Sequence, residues 1–275
     1  MIPTERGKIG FFDSGIAGLV IMQAVVARLP QYQYVYFGDT AHAQYGPKQP
    51  SDIRMYTQQG VSYLFDQGCE LVVVTCNTAA AQALRFIQQQ FLPKYAPHRH
   101  ILGVIVPVAE RATMTTTNNR IGVIATQGSV DAMAFSNEIQ KLRPEATVYQ
   151  QPAPELVSLI ESGLHHTNEM RMVLRHYLRP LLDVGIDTLV LGCTHYTLIK
   201  DEIVGIVGPD ITVIHEPPLV AERLQDYLFR HADLAHQLVP GSSQRIIYSA
   251  NAEVYSGLSR QFYGSPVVAE QVTLK

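Results

Sequence analysis

Short apolar segments alternate with longer segments of helical periodicity along most of this 275-residue chain. KIGFF (8–12) precedes LVIMQAVVARL (19–29), and LVVVT (71–75) precedes AAAQALRFIQQQF (79–91). Apolar runs of this length are typical of strands buried on both faces, and intervening helices are typical of parallel strand connections. The alternation therefore predicts an α/β fold with mostly parallel sheets flanked by helices.

The alternating segments fall into two series. The first series also contains a strand at YVYFG (34–38) and a helix at 52–68. The second begins at ILGVIV (101–106) and RIGVIA (120–125), and its later elements are ATVYQQ (146–151), a helix at 171–185 that ends at a glycine, TLVLG (188–192) and ITVIHE (211–216).

A weak internal repeat relates the two series. KIGFFDSGIAG aligns with RIGVIATQGSV, which places Ser14 opposite Thr126. Any two strand-turn segments of an α/β protein share some likeness, so the repeat is a hypothesis rather than a proof of duplication. Duplication would give two similar lobes related by a pseudo-twofold axis, with ligands bound in the cleft at the carboxyl ends of both sheets.

Composition and charge exclude several classes of protein. Apolar residues make up 47% of the chain and charged residues 16%, which indicates a globular protein. The net charge of −3 indicates no strong attraction to nucleic acid or to an anionic membrane. No apolar run approaches the roughly 18 residues of a membrane span, and the amino-terminal segment is unlike a signal peptide. With three cysteines and no disulfide framework, we predict a soluble, cytoplasmic protein.

Two of the three cysteines occupy similar sequence settings. Cys76 in TCNTAAAQ follows LVVV, and Cys193 in GCTHYTLI follows TLVL. A thiol between a strand and a helix lies beside free backbone N–H groups, which favour the thiolate and lower the thiol pKa. One such cysteine would usually be a small buried apolar residue, but two in matching settings favour a chemical role. Cys69, at the start of a strand, is assigned to structure.

Four further residues are candidates for polar roles. Asp13 and Asp39 each follow a predicted strand, where a carboxylate can orient a proton or a cationic substrate group, or can simply stabilise a turn. His195 could serve as a base, a proton carrier or a metal ligand, although the cysteines and His195 form no known metal-binding pattern. Glu161 ends a short apolar helix. The chain contains neither GxxxxGK[ST] nor GxGxxG, so a nucleotide site is unsupported.

Taken together, several segments resemble the glutamate racemase family, which needs no cofactor and belongs to a wider group with aspartate and hydantoin racemases. The segments run in the family's order along nearly the whole chain: DSGIAGL (13–19), GDTAHAQYG (38–46), CNTAAA (76–81), IGVIATQGS (121–129), LIESG (159–163) and GCTHY (192–196). The resemblance implies two α/β lobes, a discontinuous one of residues 1–100 plus 210–275 and a second of residues 101–209.

The resemblance also implies roles for individual residues. Cys76 and Cys193 would be the two acid/base groups, on opposite faces of the substrate. The remaining catalytic candidates would support them: Asp13 near Cys76, His195 near Cys193, and Asp39 and Glu161 as further polar groups. The positions that match the substrate-binding set are Ser14, Tyr45, Gly46, Asn77, Thr78, Ser129 and Thr194.

The implied function is the conversion of L-glutamate to D-glutamate for peptidoglycan synthesis, with no pyridoxal cofactor and no metal. The family's usual residues are replaced at Ala17, His42, Gln44, Ala153 and Thr197, and Glu216-Pro217 stands where an Asp-Ser pair is common. These changes leave two related alternatives, a racemase for another acidic amino acid such as aspartate and a low-activity protein with a regulatory binding role. A cysteine hydrolase is a more distant alternative. Family members are often dimers, so a homodimer is also an expectation.

Overall fold

The computed structural model describes residues 6–274 of the chain. Residues 1–5 and 275, which the predicted first lobe includes, lie outside this range. The described residues form ten strands: β1 Lys8–Asp13, β2 Tyr34–Gly38, β3 Cys69–Val74, β4 His100–Gly103, β5 Arg120–Ala125, β6 Thr147–Pro152, β7 Thr188–Gly192, β8 Thr212–Ile214, β9 Gln244–Tyr248 and β10 Ala269–Gln271.

Fourteen α-helices lie between and around these strands in residues 6–274. They are α1 Leu19–Arg28, α2 Pro50–Asp66, α3 Asn77–Gln82, α4 Leu84–Phe86, α5 Leu92–Tyr95, α6 Ile105–Thr115, α7 Gln127–Asp131, α8 Ala134–Leu142, α9 Glu155–Glu161, α10 Asn168–Asp183, α11 Lys200–Val207, α12 Glu216–Arg230, α13 Ala232–Gln237 and α14 Ala252–Tyr263. Thr40–His42 and Thr194–Ile199 are 3₁₀-helical, and Ile87–Phe91 is a π-helical turn.

The strands form two parallel sheets. The larger has six strands in the order β10-β9-β2-β1-β3-β4, and the smaller has four in the order β6-β5-β7-β8. Every pairing within the two sheets is parallel. Helices cover the sheets, as the apolar character of strands such as β1, β2 and β7 requires. The predicted α/β class, with two parallel sheets flanked by helices, is confirmed.

The two sheets share a common order of strands. In the larger sheet the order β2-β1-β3-β4 places the first strand of the series between the second and the third, and β6-β5-β7-β8 repeats this order in the smaller sheet. The aligned segments KIGFFD and RIGVIA are β1 and β5, the corresponding strands of the two sheets. The weak sequence repeat therefore matches a repeat of topology.

Several elements differ from the prediction. The apolar run ILGVIV is only half strand, because β4 ends at Gly103 and α6 begins at Ile105. Likewise β8 is shorter than ITVIHE, since α12 begins at Glu216. The sequence analysis did not identify β9 or β10, which complete the larger sheet. β4 belongs to the larger sheet, whereas the predicted boundary at 101 places most of it in the second lobe. β8 belongs to the smaller sheet, whereas the predicted boundary at 210 places it in the first lobe. The division into lobes stays a prediction.

Among residues 6–274, no helix is long and apolar enough to cross a membrane. The same residues contain no cluster of three or more His, Cys, Asp or Glu side chains able to hold a metal ion.

The helix α2 lies unusually close to the larger sheet at Gly60. A Cβ atom placed on Gly60 would be 2.2 Å from Cε2 of Phe12 and 3.1 Å from Cδ1 of Phe37. Both rings are fully buried in the core, so neither can move aside freely. By contrast, Gly257 of α14 has no atom within 4 Å of the same position.

These two helical glycines give opposite expectations for substitution by alanine. We expect Gly60→Ala to lower the free energy of unfolding by about 1–3 kcal/mol, because the added methyl overpacks the core. We expect Gly257→Ala to raise it by about 0.5–1 kcal/mol, because alanine has the better helix propensity. Urea unfolding of both variants measures the two changes, and a neutral Gly60→Ala would contradict the close packing of α2.

Candidate active site

Polar side chains collect at the carboxyl ends of the strands in both sheets. Asp13 is the last residue of β1, and Cys76 follows β3 after one intervening residue. Thr126 follows β5 directly, and Cys193 follows β7 directly. Because parallel strands end at the same edge of their sheet, each sheet presents its polar residues together.

These edges enclose a cavity of about 420 Å³. Residues from both sheets line it, as expected for a small-molecule site between two α/β units. The lining residues are Ser14, Gln44, Tyr45, Gly46, Pro47, Cys76, Asn77, Thr78, Thr126, Gln127, Pro154, Val157, Cys193, Thr194 and His195.

Four of the predicted site residues lie behind the lining: Asp13, Asp39, Glu161 and Ser129. Three of them, Asp39, Glu161 and Ser129, hydrogen-bond residues of the lining. The carboxylate of Asp39 accepts hydrogen bonds from the hydroxyl groups of Tyr45, at 2.6 Å, and Ser249, at 2.9 Å. The hydroxyl of Ser129 accepts one from Thr126 at 3.0 Å.

Cys76 lies at the amino-terminal end of α3 and is 6% exposed. Its sulfur accepts hydrogen bonds from the Ser14 hydroxyl, at 3.1 Å, and from the backbone N–H of Ala79, at 3.5 Å. Burial nevertheless raises the pKa of this thiol to about 12, and the neighbouring Asp13 raises it further, against the lowering effect of the two donors. The prediction that the helix terminus lowers the pKa was wrong in direction, because burial outweighs the helix.

Cys193 is the other thiol on the cavity, and it is equally buried. Burial raises the pKa of Cys193 well above its usual value, and ionisation of Glu216, Cys76 or Asp13 would act in the same direction. The backbone N–H of His195 opposes these effects. Here too, desolvation outweighs the N–H donors that the sequence analysis expected to dominate.

The imidazole of His195 connects Cys193 to Glu161. Its Nδ1 lies 3.7 Å from the sulfur of Cys193, and its Nε2 lies 2.9 Å from a carboxylate oxygen of Glu161. Since the carboxylate can only accept, Nε2 carries the proton that it donates to Glu161. In the neutral imidazole Nδ1 is then free to accept the proton of the Cys193 thiol.

The carboxylate of Glu161 receives hydrogen bonds from both sides of the cleft. The amide Nε2 of Gln44 donates to it at 3.2 Å, in addition to His195. Burial acts to raise the pKa of Glu161, but the hydrogen bonds from His195 and Gln44, together with the electrostatic effect of His195 in its protonated form, outweigh burial and hold the pKa below its usual value. Glu161 is therefore a carboxylate at neutral pH and fixes the orientation of His195.

Asp13 is almost fully buried behind Ser14. Its carboxylate accepts hydrogen bonds from the backbone N–H of Gly15, at 2.9 Å, and from the hydroxyl of Thr75, at 3.0 Å. Burial raises the pKa of Asp13, although His195 and these donors act to lower it. A Cβ on Gly18 would lie 2.2 Å from the Thr75 hydroxyl oxygen, so only glycine leaves room for this arrangement.

Direct contacts join the two edges of the cavity. The hydroxyl oxygens of Thr78 and Thr126 are 2.9 Å apart, and the N–H of Gly128 donates to the carbonyl oxygen of Gly46 at 3.1 Å. The side-chain amide of Gln82 also donates to the carbonyl oxygen of Gly128, at 2.7 Å. These bonds connect the two edges of the cavity directly.

Sequence reasoning missed several of these residues. Thr126 lines the cavity, and its signal was its alignment with Ser14, which was not carried through to a site prediction. Gln127, Pro47, Pro154 and Val157 also line it. Gln127 lies within the family-like segment IGVIATQGS but was not predicted as a site residue. Glu216 was noted only as a departure from the family, yet it is buried and lies near the site.

Two departures from the family pattern are close to the cavity. Gln44 lines it and adopts a positive φ of 56°, a conformation that proline cannot adopt. His42 lies behind it, where Nδ1 is 3.0 Å from the Asp39 carboxylate and the ring stacks on Tyr56 at 3.8 Å. The loop from 40 to 46 is therefore built differently from a loop with Arg and Pro at these positions.

The remaining departures have structural settings. Ala17 is fully buried in the turn before α1. The backbone of Ala153 donates to Ala125 at 2.9 Å, and its carbonyl oxygen accepts the Tyr196 hydroxyl at 3.0 Å. Thr197 is half-buried in the 3₁₀ segment after Cys193.

Comparison with known proteins identifies the family of this chain. A model of the Asp/Glu/Hydantoin racemase family matches residues 18–223. The chain belongs to this family. It is 34% identical to a glutamate racemase of Desulforudis audaxviator over 266 residues, covering 94% of each chain. It is also 34% identical to a glutamate racemase of Latilactobacillus sakei, covering 98% of this chain and 96% of the relative.

Solved structures of the family share the fold at full length. A glutamate racemase isoform from Bacillus anthracis superimposes with a TM-score of 0.88 at 28% identity, covering 98% of both chains. A glutamate racemase from Francisella tularensis, crystallised with D-glutamate, gives a TM-score of 0.87 at 28% identity and the same coverage. The family and the two-sheet architecture are thereby established for this chain.

The low pKa of Glu161 gives a testable dependence of stability on pH. A carboxyl group whose pKa falls on folding adds stability above its unfolded pKa, and this stability is lost as the pH falls through its folded pKa. We therefore expect the difference in unfolding temperature between wild type and Glu161→Gln to shrink on acidification from pH 7 to pH 3. Thermal unfolding at a series of pH values measures this, and a constant difference would contradict the His195–Glu161 contact.

Proposed function

We propose that this protein interconverts L- and D-glutamate without a cofactor, through proton transfer at Cα between Cys76 and Cys193. The observation that carries the proposal is the presence of two buried thiols, one from each sheet, on a single cavity. The glutamate racemases that resemble it along nearly their whole length support glutamate as the substrate. D-Glutamate formed in this way would supply peptidoglycan synthesis.

Inversion at a carbon needs one group to remove a proton and another to deliver a proton to the opposite face. A thiolate on one side takes the Cα proton and becomes a thiol, while the thiol on the other side gives its proton and becomes a thiolate. The charge moves from one sulfur to the other, and the substrate gains and loses one proton. Reversal of direction exchanges the roles of the two cysteines.

Both sulfurs have surroundings suited to this exchange. His195 Nδ1 can accept the proton of Cys193 and return it, while Glu161 holds the ring in place. Ser14 donates to the sulfur of Cys76 and so stabilises its thiolate once formed. The raised pKa of Cys76, about 12, makes its thiolate a stronger base than an exposed thiolate and narrows the gap to the weakly acidic Cα proton.

The negative charge that develops on the substrate must be stabilised by fixed donors. Hydroxyl and amide groups of Ser14, Asn77, Thr78 and Thr194 line the cavity and can bind the amino and carboxylate groups of an amino acid. Because the fold holds these groups around the cavity before the substrate binds, they need little reorganisation as the charge forms. Asp13, Asp39 and Ser129 support this lining from behind.

The proposed proton transfers use the two thiols and require neither a pyridoxal ring nor a metal ion. A homodimer and a cytoplasmic location stay predictions for this protein.

Substitution of each cysteine tests the two-thiol mechanism. We expect Cys76→Ser and Cys193→Ser each to lower the rate of racemisation by at least about 100-fold, because a hydroxyl is a much weaker acid than a thiol. Wild type in deuterated water should convert L-glutamate into D-glutamate that carries deuterium at Cα, as measured by NMR and chiral chromatography. The loss of deuterium exchange should be unequal for L- and D-glutamate. The two variants should differ in which of these substrates is affected more.

Cys69→Ala is the matched control, since Cys69 is fully buried in β3 and does not line the cavity. It should retain the racemisation rate per folded molecule. Full activity in both cavity variants would exclude the mechanism. A cysteine hydrolase would instead form a covalent acyl-enzyme and depend on one cysteine only.

A substrate panel tests the identity of the amino acid. Gln44 on the cavity wall replaces the family's proline, which is the observation that keeps aspartate as a second candidate. We expect kcat/KM for glutamate to exceed that for aspartate by at least about tenfold, since one methylene in a fitted pocket is worth roughly 1–3 kcal/mol. A higher kcat/KM for aspartate would assign the protein to the second candidate. A protein with a regulatory binding role would turn over neither.

A further inference from the structure

Glu216 is a buried acid that the proton-transfer mechanism does not use. It is the first residue of α12, directly after the segment that leaves the smaller sheet, and only 1% of it is exposed. The side-chain amide of Asn77 donates a hydrogen bond from Nδ2 to Glu216 Oε1. Asn77 is the first residue of α3 and lines the cavity beside Cys76. The contact therefore joins the start of α12 to the cavity wall.

One hydrogen bond leaves this pair incomplete. Glu216 Oε2 and Asn77 Oδ1 are both buried, and neither has a hydrogen-bond partner in residues 6–274. Two buried acceptors without a donor are costly, because each has lost its bonds to water. A single proton on Glu216 Oε2 would supply a donor for Asn77 Oδ1, while Oε1 continues to accept from Nδ2.

We propose that Glu216 is a neutral carboxylic acid that forms a paired, two-way hydrogen bond with the Asn77 amide and thereby positions that amide in the site. Glu216 is thus a positioning residue, because it acts on the cavity through Asn77. An amide and a neutral carboxyl group are complementary in this arrangement, each offering one donor and one acceptor. An ionised carboxylate could only accept, and would leave Asn77 Oδ1 unpaired.

The surroundings of Glu216 favour the neutral form. Burial raises its pKa to about 8, the hydrogen bond from Asn77 acts to lower it, and the negative charge of Asp13 raises it further. Cys193 is the other titratable group that interacts with it, and its thiolate would also oppose a charge at Glu216. The preceding His215 is half-buried, and burial lowers its pKa, so it adds no positive charge at neutral pH.

Comparison with Glu216→Gln tests the proposal through stability, without any assay of activity. A glutamine amide keeps both bonds to Asn77 and does not titrate. The wild-type carboxyl group has its ordinary pKa of 4.5 when unfolded and a pKa of about 8 when folded. The contribution of this carboxyl group to the free energy of unfolding is therefore complete below pH 4.5 and is lost as the pH rises towards 8. We expect the unfolding equilibrium constant of wild type, relative to Glu216→Gln, to rise roughly a thousandfold between pH 4.5 and pH 8.

Glu222→Gln is the matched control, because Glu222 is an exposed glutamate of the same helix. It should leave the pH dependence of wild type unchanged. A wild type that keeps a constant stability relative to Glu216→Gln from pH 4.5 to pH 8 would overturn the proposal. If Glu216→Gln does not fold, infrared spectroscopy of wild type decides: a protonated carboxyl band should persist at pH 7 and disappear by pH 9, and its absence at pH 7 overturns the neutral acid.

A second readout connects Glu216 to the reaction and rests on the proposed function. We expect kcat/KM of wild type for glutamate to fall as the pH rises through about 8, where the Asn77 amide loses its partner, and Glu216→Gln to lack this fall. An identical fall in both would refute the positioning role. If the protein does not racemise glutamate, wild type will be inactive at every pH. The stability measurement will still report whether Glu216 is protonated.

Discussion

The parallel direction of the strands is the constraint on which the rest of this site depends. A parallel sheet sends every strand out at one edge, so residues far apart in the chain meet there. Cys76 after β3 and Cys193 after β7 are brought to one cavity because each sheet ends towards the other. The same geometry places Ser14 and Thr126 at corresponding positions after β1 and β5. Two related sheets thus supply two similar, facing sets of polar groups.

Burial is the second determinant, and it acts against the local effect of the helices. An N–H group at a helix terminus stabilises a thiolate. The free energy of removing that charge from water is larger than the stabilisation that these donors supply. Both cavity thiols, Asp13 and Glu216 consequently hold raised pKa values, whereas Glu161 does not. Asp13 and Glu216 are each only 1% exposed, so burial dominates there despite their hydrogen bonds. The side chain of Glu161 is 21% exposed, and the bonds from His195 and Gln44 outweigh its weaker burial.

The two halves of the cavity are alike in topology and different in chemistry. On one side the sulfur is bonded by a hydroxyl group and a backbone amide, while on the other it faces an imidazole held by a carboxylate. The shared strand order places one thiol in each half, and the two thiols differ in their neighbours. Departures such as Gln44 and Glu216 lie at contacts between the halves, where they adjust the position of site residues without replacing the reacting groups.

The sequence by itself determined the class of fold, the family, and the two cysteines. Apolar periodicity is a local property, and the motifs around Cys76 and Cys193 are contiguous, so both can be read directly. Short strands at the chain end, such as β9 and β10, carry too little local pattern and exist because a sheet edge is available to pair with them. Only the tertiary structure decided the direction of the thiol pKa shifts, the His195–Glu161 contact and the burial of Glu216 against Asn77. Each of these depends on the groups that surround a side chain in space. The sequence does not record the solvent exposure of a side chain or its hydrogen-bond partners after folding.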